Sequence, residues 1–417
     1  MGEDLFVRGQ IALHAAHGLI LLGGLLGVCS ILAGLMSRRI GAPTLLVFLI
    51  LGMLAGQDGL IGIPFEDFRG AYLVGSVALA IILFEGGVKM PLARLRTVFW
   101  PALLLATVGV ALTAGVLGVC IAFFFGVKLS AGMLVGAAAA PTDAAAVNTL
   151  LRRGGVVLPA RLPALLEAES GFNDPMSIFL TVLLLHIIVA PQGLGVGSAI
   201  LLFTREMAGG AVLGLAGGWL LAFGLRVLRL DQAVAGVLAV AGALSLFGLA
   251  QLLGTSGFLA TYVAALIVGA ARYQAAESVE RFLESLSWLA QIVLFLMLGL
   301  LVTPHDLPQF IPVAVTGAMV LIFLARPIAV MPLMLPLGFS WRESAFASWV
   351  GLRGAVPIYI SFLPALVDPS RDEAFFAVVF VLVVTSLVIQ GWTIGLAGRI
   401  LGFGAAGRGV SLSADAA

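Results

Sequence analysis

The sequence predicts an all-α protein that crosses a membrane about thirteen times. Of its 417 residues, 61% are hydrophobic and only 10% are charged, whereas soluble domains carry about 25% charged residues. The mean hydropathy is +1.16, and the 52 glycines suit close packing of helices in lipid. These values exclude a soluble globular protein, and a net charge of +1 gives no indication of a nucleic-acid partner.

Windows of about 18 to 25 apolar residues define the predicted spans in chain order. The second span, Pro43 to Gly56, is short, and the fourth, Val98 to Phe125, is long. The predicted centres lie near Gly24, Phe48, Ala80, Gly109, Ala140, Pro175, Gly217, Ala241, Ala264, Leu294, Phe323, Gly354 and Leu382. Two isolated cysteines, Cys29 and Cys120, predict neither a disulfide nor a metal site, and we expect no cofactor.

The loops between these spans alternate in charge. One set of loops carries 15 of the 22 basic residues, the other set carries 5, and Arg326 and Arg353 lie inside spans. Because loops rich in Lys and Arg stay in the cytoplasm, we expect the N-terminus outside and the C-terminus in the cytoplasm of a cell (inner) membrane. Residues 1–405 then form one transmembrane domain, residues 406–417 form a short cytoplasmic tail, and no cytoplasmic regulatory domain is expected.

The sixth predicted span carries the polar run Glu169-Ser170-Gly171-Phe172-Asn173-Asp174-Pro175. The apolar stretch from Leu162 to Val189 is long enough to cross a bilayer, with Asp174 near the midplane. A carboxylate at that depth costs a few kcal/mol unless it contacts water, a cation or a polar partner. Spacings of four residues bring the polar atoms to one side of the helix, which favours an ion site over simple helix packing.

The fifth predicted span contains an alanine run followed by Pro141, Thr142 and Asp143. Pro141 removes a helical hydrogen bond and crowds the carbonyl four residues before it, so we expect the helix to break there. A broken helix with a carboxylate at the break is one way in which transporters build a cation site. The simpler alternative is a proline kink in which Asp143 caps the second half of the helix.

The twelfth predicted span contains Gly351, Arg353, Gly354 and Pro357, and this pattern also indicates an interrupted helix. It lies seven spans after the fifth, so the two would cross in opposite directions. Paired interruptions of this kind predict an inverted repeat whose binding site lies where the two helices cross. Arg353 could instead serve only to hold backbone carbonyls that the interruption leaves free.

Two further ionisable residues, Arg326 and Glu85, lie in or near predicted spans. Arg326 needs a carboxylate partner in the membrane, and Glu169 is the natural choice, with Asn173 as an additional acceptor. We interpret that trio as structural. Glu85 lies near the cytoplasmic end of the third span, where it could line an entrance or only reach the interface.

Together these residues carry a resemblance to a known family. The run ESGFNDP, the broken PTDAAAV, the LRGAVPI of the twelfth span and the closing VLVVTSLVIQGW resemble the NhaP-type monovalent cation:proton antiporters, especially their potassium/proton branch. The resemblance implies a homodimer of thirteen-span subunits. In each subunit it implies a mobile core, about 98–190 and 308–403, and a dimerisation domain, about 11–97 and 205–303.

The resemblance also assigns roles to individual residues. It implies that Asp174 binds the transported alkali cation and the proton in turn, with help from Asp143, Thr142 and Ser170. We also expect Asn173, which lies beside Asp174, to belong to the binding site. It further implies that Glu85 assists through water and that Glu169 and Arg326 form a structural ion pair. From its position in the interrupted span, we expect Arg353 to support the broken helix.

A physical argument supports exchange without the family name. Desolvation favours a protonated carboxyl group and a bound cation favours an ionised one, so one group that accepts either ligand would exchange them as the core moves. Asn173 adds no charge beside Asp174, which favours one-for-one, electroneutral exchange. K⁺ is the expected cation, and Na⁺ or Li⁺ is the alternative.

Three other classes of protein are alternatives. An intramembrane aspartyl protease could use Asp143 and Asp174 as a dyad, but the intramembrane arginines would then have no role. A channel would need a continuous polar file of residues rather than two broken helices that meet at one point. A scaffold without transport would not account for so many buried charges.

Overall fold

A computed structural model describes residues 2–40, 43–65, 67–189, 195–228, 230–367 and 372–404, without the side chains of 2–16, 19, 38–40, 152–154 and 372–373. Within these ranges the chain is helical, and its one β-bridge, between Gly56 and Ile63, is isolated. The predicted all-α class is therefore confirmed. The predicted tail, 406–417, lies outside the described residues, as do the side chains of Arg8, Arg38, Arg39, Arg152, Arg153, Arg229, Arg371 and Arg408.

Eighteen α-helices follow one another along the described chain. The first half contains α1 (Gly2–Ile40), α2 (Thr44–Ala55), α3 (Phe68–Lys89), α4 (Leu92–Leu104), α5 (Val110–Phe125), α6 (Leu129–Ala139), α7 (Ala144–Gly154) and α8 (Arg161–Val189). The second half contains α9 (Val196–Val227), α10 (Gln232–Leu252), α11 (Gly257–Ala270), α12 (Ala276–Leu300), α13 (Ile311–Val320), α14 (Arg326–Met334), α15 (Trp341–Trp349), α16 (Ala355–Ile360), α17 (Leu363–Val367) and α18 (Asp372–Ile400).

Many of these helices can cross a membrane. Among the described residues, nine helices are long and apolar enough to do so, and α6 and α7 form a tenth crossing that bends by 49°. There are also three shorter apolar helical stretches, Thr44–Ala55, Gly257–Ala270 and Ala355–Val367. Every predicted span centre falls within a helix or at a break between two helices. The chain is a multi-pass membrane protein, and the number thirteen stays a prediction.

The two halves of the chain carry similar irregularities in the same order. One turn of π-helix, Leu105–Gly109, joins α4 to α5, and a second, Leu321–Ala325, joins α13 to α14. In each half the next predicted span is interrupted, between α6 and α7 and between α15 and α16. The predicted inverted repeat requires this correspondence between the fourth and eleventh and between the fifth and twelfth spans.

Small residues bring α6 into the interior of the molecule. A Cβ on Gly136 would lie 2.2 Å from the carbonyl oxygen of Ala114 in α5, so only glycine permits this approach. The following residues, Ala137, Ala138 and Ala139, are fully buried. The end of α6 therefore lies deep in the protein, where the polar half of α8 can contact it.

Candidate functional site

The two interrupted segments meet at their breaks. The backbone N–H of Asp143 donates a hydrogen bond to the carbonyl of Leu352 at 2.8 Å. A Cβ on Gly354 would lie 2.4 Å from Oδ2 of Asp143, so the backbone of one segment contacts the acidic side chain of the other. The predicted crossing of the fifth and twelfth segments is thus present in the structure.

Arg353 lies at this crossing and is fully buried. Its Nη1 donates to the carbonyls of Ala140 and Pro141, at 2.7 Å for Pro141. These carbonyls lie in the break between α6 and α7, outside the regular hydrogen bonds of either helix, and lipid offers them no partner. The contact is the one expected of a residue that supports the break, and that role stays a prediction.

Asp143 caps α7, as the simpler alternative required. Its Oδ1 accepts a hydrogen bond from the N–H of Ala146 at 2.9 Å. The cap uses one carboxylate oxygen and leaves Oδ2 beside Gly354. Since the side chain is also partly exposed, capping and ion binding are compatible at this residue.

The polar residues of α8 lie directly against the break. Ser170 Oγ donates to the carbonyl of Thr142 at 2.8 Å, and Asn173 Nδ2 donates to the hydroxyl of Thr142 at 2.8 Å. One turn further on, Ser177 Oγ donates to the carbonyl of Ala137 at 2.8 Å. Thr142, Ser170 and Asn173, predicted separately from two spans, therefore form one hydrogen-bonded cluster.

Asp174 belongs to the same face of α8 but has a different environment. The residue is 6% exposed, and its Oδ1 is buried without a hydrogen-bond partner among the described residues. Oδ1 of Asn173, the neighbouring residue, is also buried without a described partner. Buried polar atoms are almost always paired, so two open acceptors beside a helix break indicate a place for water or a cation.

Glu169 and Arg326 form the predicted ion pair. Arg326 Nη1 lies 2.8 Å from Glu169 Oε1, and the two side chains are 3% and 1% exposed. Arg326 also donates through Nη2 to the carbonyl of Ala347 at 3.2 Å, so the pair joins α8, α14 and α15. The prediction that Asn173 accepts a hydrogen bond from Arg326 is wrong, because Asn173 donates to Thr142 and its oxygen has no described partner.

Glu85 lies in a separate charged cluster. Its carboxylate is 2.7 Å from Nζ of Lys89, and that ammonium is also 3.2 Å from Glu284 of α12. No hydrogen bond in the described part of the chain joins Glu85 to the cluster around Asp174. The structure thus brings together every other predicted cation-site residue, and the water-mediated role of Glu85 stays a prediction.

Comparisons with known proteins agree with this geometry. The family model for the transmembrane part of sodium/hydrogen exchangers matches residues 27–399. The chain belongs to the sodium/hydrogen exchanger family. The K(+)/H(+) antiporter NhaP of Alkalimonas amylolytica is 43% identical over 389 residues, which cover 93% of this chain and 68% of that protein. The K(+)/H(+) antiporter NhaP2 of Shewanella sp. (strain ANA-3) is 41% identical over 92% of this chain and 67% of that protein.

The fold of this exchanger also matches a solved structure. The sodium proton antiporter MjNhaP1 from Methanocaldococcus jannaschii, at pH 8, superposes with a TM-score of 0.78 and is 23% identical, covering 89% of this chain and 99% of that one. Members of the family are secondary transporters that exchange a monovalent cation for a proton. This membership excludes the protease that the two aspartates alone had left open.

Sequence reasoning missed two residues near the site of this exchanger. Glu167 of α8 accepts a hydrogen bond from Nδ2 of Asn148 in α7 at 2.6 Å. The ring of Tyr262 lies on Gly171, where a Cβ would come within 2.2 Å of its Cζ atom. A helical spacing of seven residues before Asp174 could have identified Glu167, whereas nothing in the sequence pattern connects Tyr262 to α8.

Proposed function

We propose that this protein exchanges K⁺ for H⁺ across a cell membrane, with Asp174 as the residue that binds each ion in turn. The observation that carries the proposal is the buried Oδ1 of Asp174, which has no described partner and lies beside two crossed helix breaks. The names of the relatives at 43% and 41% identity favour K⁺. Na⁺ is the alternative, since the names of the family and of the structurally similar antiporter refer to sodium.

The residues around that carboxyl group can supply further oxygen ligands to the cation. An alkali cation needs several oxygen ligands, and the neighbouring oxygens belong to Asp143, Thr142, Ser170 and Asn173. Protonation of Asp174 removes the charge that attracts the cation, so the two ions compete for one place. Asn173 adds no second charge, and we therefore propose an electroneutral exchange of one cation for one proton.

Exchange also requires that the site open to each side of the membrane in turn. We propose that the moving core consists of residues of about 98–190 and 308–403. We propose that the dimerisation domain of a homodimer consists of residues of about 11–97 and 205–303. The Glu169–Arg326 pair and the bonds of Arg353 lie within that core, where they would keep the site intact as it moves. The proposed orientation has the N-terminus outside and the C-terminus in the cytoplasm of the inner membrane. We expect no cofactor, because the transported ions are substrates.

The decisive experiment measures exchange in proteoliposomes that contain a pH-sensitive dye. Asp174→Asn keeps the size of the side chain but removes the ionisable group, and we expect it to abolish K⁺-dependent proton flux. Asp231→Asn is the matched control, because Asp231 is exposed at the start of α10 and its side chain makes no cap hydrogen bond. Cation-dependent proton flux in the correctly folded Asp174→Asn protein would refute the proposal.

The same vesicles can identify the cation and the stoichiometry. Separate titrations with K⁺, Na⁺ and Li⁺ are expected to give the lowest half-saturating concentration for K⁺. Under electroneutral exchange, a membrane potential imposed by a gradient of a permeant anion should leave the rate unchanged. A rate that follows the imposed potential would show that unequal charges move.

A further inference from the structure

An apolar groove lies between α4 and α8 on one side and α9 and α11 on the other. Its volume is about 470 Å³, which is within the range of sites that bind drug-sized ligands. Thr107 is the hydroxyl-bearing residue of the described lining, and its Oγ1 already donates to the carbonyl of Leu103 at 2.7 Å. Leu215, in the wall that α9 forms, is 55% exposed, so the groove opens to the hydrocarbon around these spans.

One face of α4 runs along the whole groove. Leu92, Phe99, Leu103 and Thr107 line it, and their spacings of seven, four and four residues keep them on one side of the helix. Arg96 follows Leu92 by four residues and precedes Phe99 by three, so it belongs to the same face. The eleven residues from Arg96 to Thr107 rise by about 16.5 Å, close to half of a hydrocarbon core about 30 Å thick. Beyond Arg96 the groove therefore has the length of one acyl chain in one leaflet.

Arg96 places a positive charge at this end of the groove. Its side chain is exposed, and it forms no ion pair with any residue that the structure describes. The acids at the adjoining end of α3 and in α12, Glu85 and Glu284, both contact Nζ of Lys89, at 2.7 and 3.2 Å. A guanidinium matches the geometry of a phosphate group, and basic residues at the seam between membrane helices are typical of sites for anionic lipid headgroups.

We propose that the groove binds one anionic phospholipid, whose phosphate pairs with Arg96 and whose acyl chain lies along α4 as far as Thr107. Phe172 and Met176 of α8 line the groove, and each is two residues from Asp174. Two helical residues rotate the side chain by about 200°, so the lipid contacts the face of α8 opposite to Asp174. The lipid therefore touches the helix that carries the ion site without entering the polar cluster. This inference goes beyond the proposed function and does not depend on which ions are exchanged.

Photo-crosslinking in proteoliposomes tests the site. The probe is a phosphatidylglycerol with a diazirine at the end of one acyl chain, and a phosphatidylcholine with the same chains is the comparison. Mass spectrometry of the labelled peptides is expected to show the groove face of α4 labelled about five-fold more by the phosphatidylglycerol probe. Arg96→Gln should reduce this labelling to the level of the phosphatidylcholine probe. Arg94→Gln removes an equal, exposed charge from another face of α4 and should keep the labelling within about two-fold of the original.

A second pair of variants tests the acyl-chain part of the site. Ala211 lines the groove from α9, so Ala211→Trp should fill it and block labelling by the phosphatidylglycerol probe. Val212, the next residue, is 63% exposed and lies outside the lining, so Val212→Trp should leave the labelling unchanged. Size-exclusion profiles show whether each variant folds.

Three results would refute the lipid site. They are equal labelling by the two probes, labelling that Arg96→Gln does not reduce, and labelling that persists in Ala211→Trp. Because lipid labelling is measured instead of ion flux, a negative result here leaves the proposed function standing. Loss of K⁺-dependent exchange in the unmodified protein would refute the proposed function and leave the lipid site standing.

Discussion

Two buried carboxylates on α8, those of Glu169 and Asp174, differ in whether a cation lies beside them. Glu169 contacts the guanidinium of Arg326 at 2.8 Å through Oε1 and leaves Oε2 without a described partner, whereas Asp174, five residues later, forms no ion pair among the described residues. A carboxylate beside a fixed cation already has its charge partner in place, while one without a fixed partner can change ligands. This difference in partners supports the proposed division of roles, in which Glu169 is structural and Asp174 binds the transported ions.

The ion pair of Glu169 and Arg326 allows a double-mutant test. Glu169→Gln or Arg326→Met alone leaves one buried charge without its partner, and each should cost about 3–5 kcal/mol of stability. The double variant removes both charges, so we expect its thermal midpoint in detergent to lie above those of both single variants. Lys89→Gln breaks the more exposed pair with Glu85 and should cost less than about 1 kcal/mol. Strictly additive effects of Glu169→Gln and Arg326→Met would contradict the assignment.

At the scale of single elements, the packing of α3 against α11 requires glycine at position 87 but not at position 86. A Cβ on Gly87 of α3 would lie 2.6 Å from Cβ of Ala265 and 3.0 Å from the carbonyl oxygen of Tyr262, both in α11. A Cβ on Gly86 would meet no atom within 4 Å. The two adjacent residues therefore form a matched pair for testing the packing of α3 against α11.

Alanine at these two positions should have opposite effects on stability. Gly87→Ala forces the two helices apart and is expected to cost about 1–3 kcal/mol. Gly86→Ala adds no contact, and the higher helix propensity of alanine should make it neutral or stabilising by up to about 1 kcal/mol. Thermal unfolding of both variants in the same detergent tests the difference. Equal midpoints for the two would mean that α3 and α11 do not approach this closely.

The turn before α15 depends on an acid with a perturbed pKa. Hydrogen bonds from Arg161, and then from the backbone and side chain of Ser340, lower the pKa of Glu343 from 4.5 to about 2 against the opposing effect of burial. A carboxylate whose pKa is lower in the folded state stabilises the protein above its unfolded pKa, and this contribution is lost as the pH falls through the folded value. Glu343 should thus stabilise the protein fully above about pH 4.5.

This pH dependence can be measured against Glu343→Gln. The difference in thermal midpoint between the unmodified protein and the variant should be constant from pH 7 to about 5 and should shrink as the pH approaches 2. Glu277→Gln, which changes an exposed acid, should show no such trend. A difference that grows as the pH falls would contradict the assigned direction.

The sequence predicted the interruptions but not all of the irregular backbone. Proline and glycine remove hydrogen bonds or tolerate unusual backbone, so Pro141 and Gly354 marked both breaks. The π-turn at Leu105–Gly109 was not predicted, although Pro101 lies one turn before it and Gly109 ends it. One proline or glycine in an apolar helix does not distinguish a π-turn from a continuous helix.

Contacts within the site were predictable only where the chemistry of a residue leaves it few possible partners. The pair of Glu169 and Arg326 was predictable because a buried guanidinium needs a carboxylate and few were present. The partner of Asn173 was not predictable, since an amide can bond to many groups and the break places the hydroxyl of Thr142 2.8 Å from its Nδ2. The roles of Asp174 and its neighbours remain predictions that transport measurements must test.

At the scale of the whole molecule, the proposed division into two domains can be tested with disulfides. A Cβ on Gly391, in the proposed core, would lie 3.6 Å from Cβ of Pro43, in the proposed dimerisation domain. Disulfides need a Cβ separation of about 3.5–4.5 Å, so cysteines at these positions can bond directly. In a background with Cys29 and Cys120 replaced by serine, oxidation of Pro43→Cys/Gly391→Cys should stop exchange, and a reductant should restore it.

The matched control joins two positions within the proposed core. A Cβ on Gly398 would lie 3.5 Å from Cβ of Val156, and both residues belong to the ranges expected to move together. Oxidation of Val156→Cys/Gly398→Cys should therefore leave the exchange rate unchanged. Full exchange with the Pro43–Gly391 disulfide formed would show that these two regions do not move against each other.

The bond from Arg353 to the carbonyl of Pro141 also has a consequence for biosynthesis. The two residues are 212 positions apart, so the ribosome must make most of the protein before the earlier break receives its donor. Until then, we expect the carbonyls at that break to lack this donor in the bilayer. We expect truncated chains that end before Arg353 to be recognised by insertion chaperones and degraded by membrane proteases, because their first half cannot mature alone.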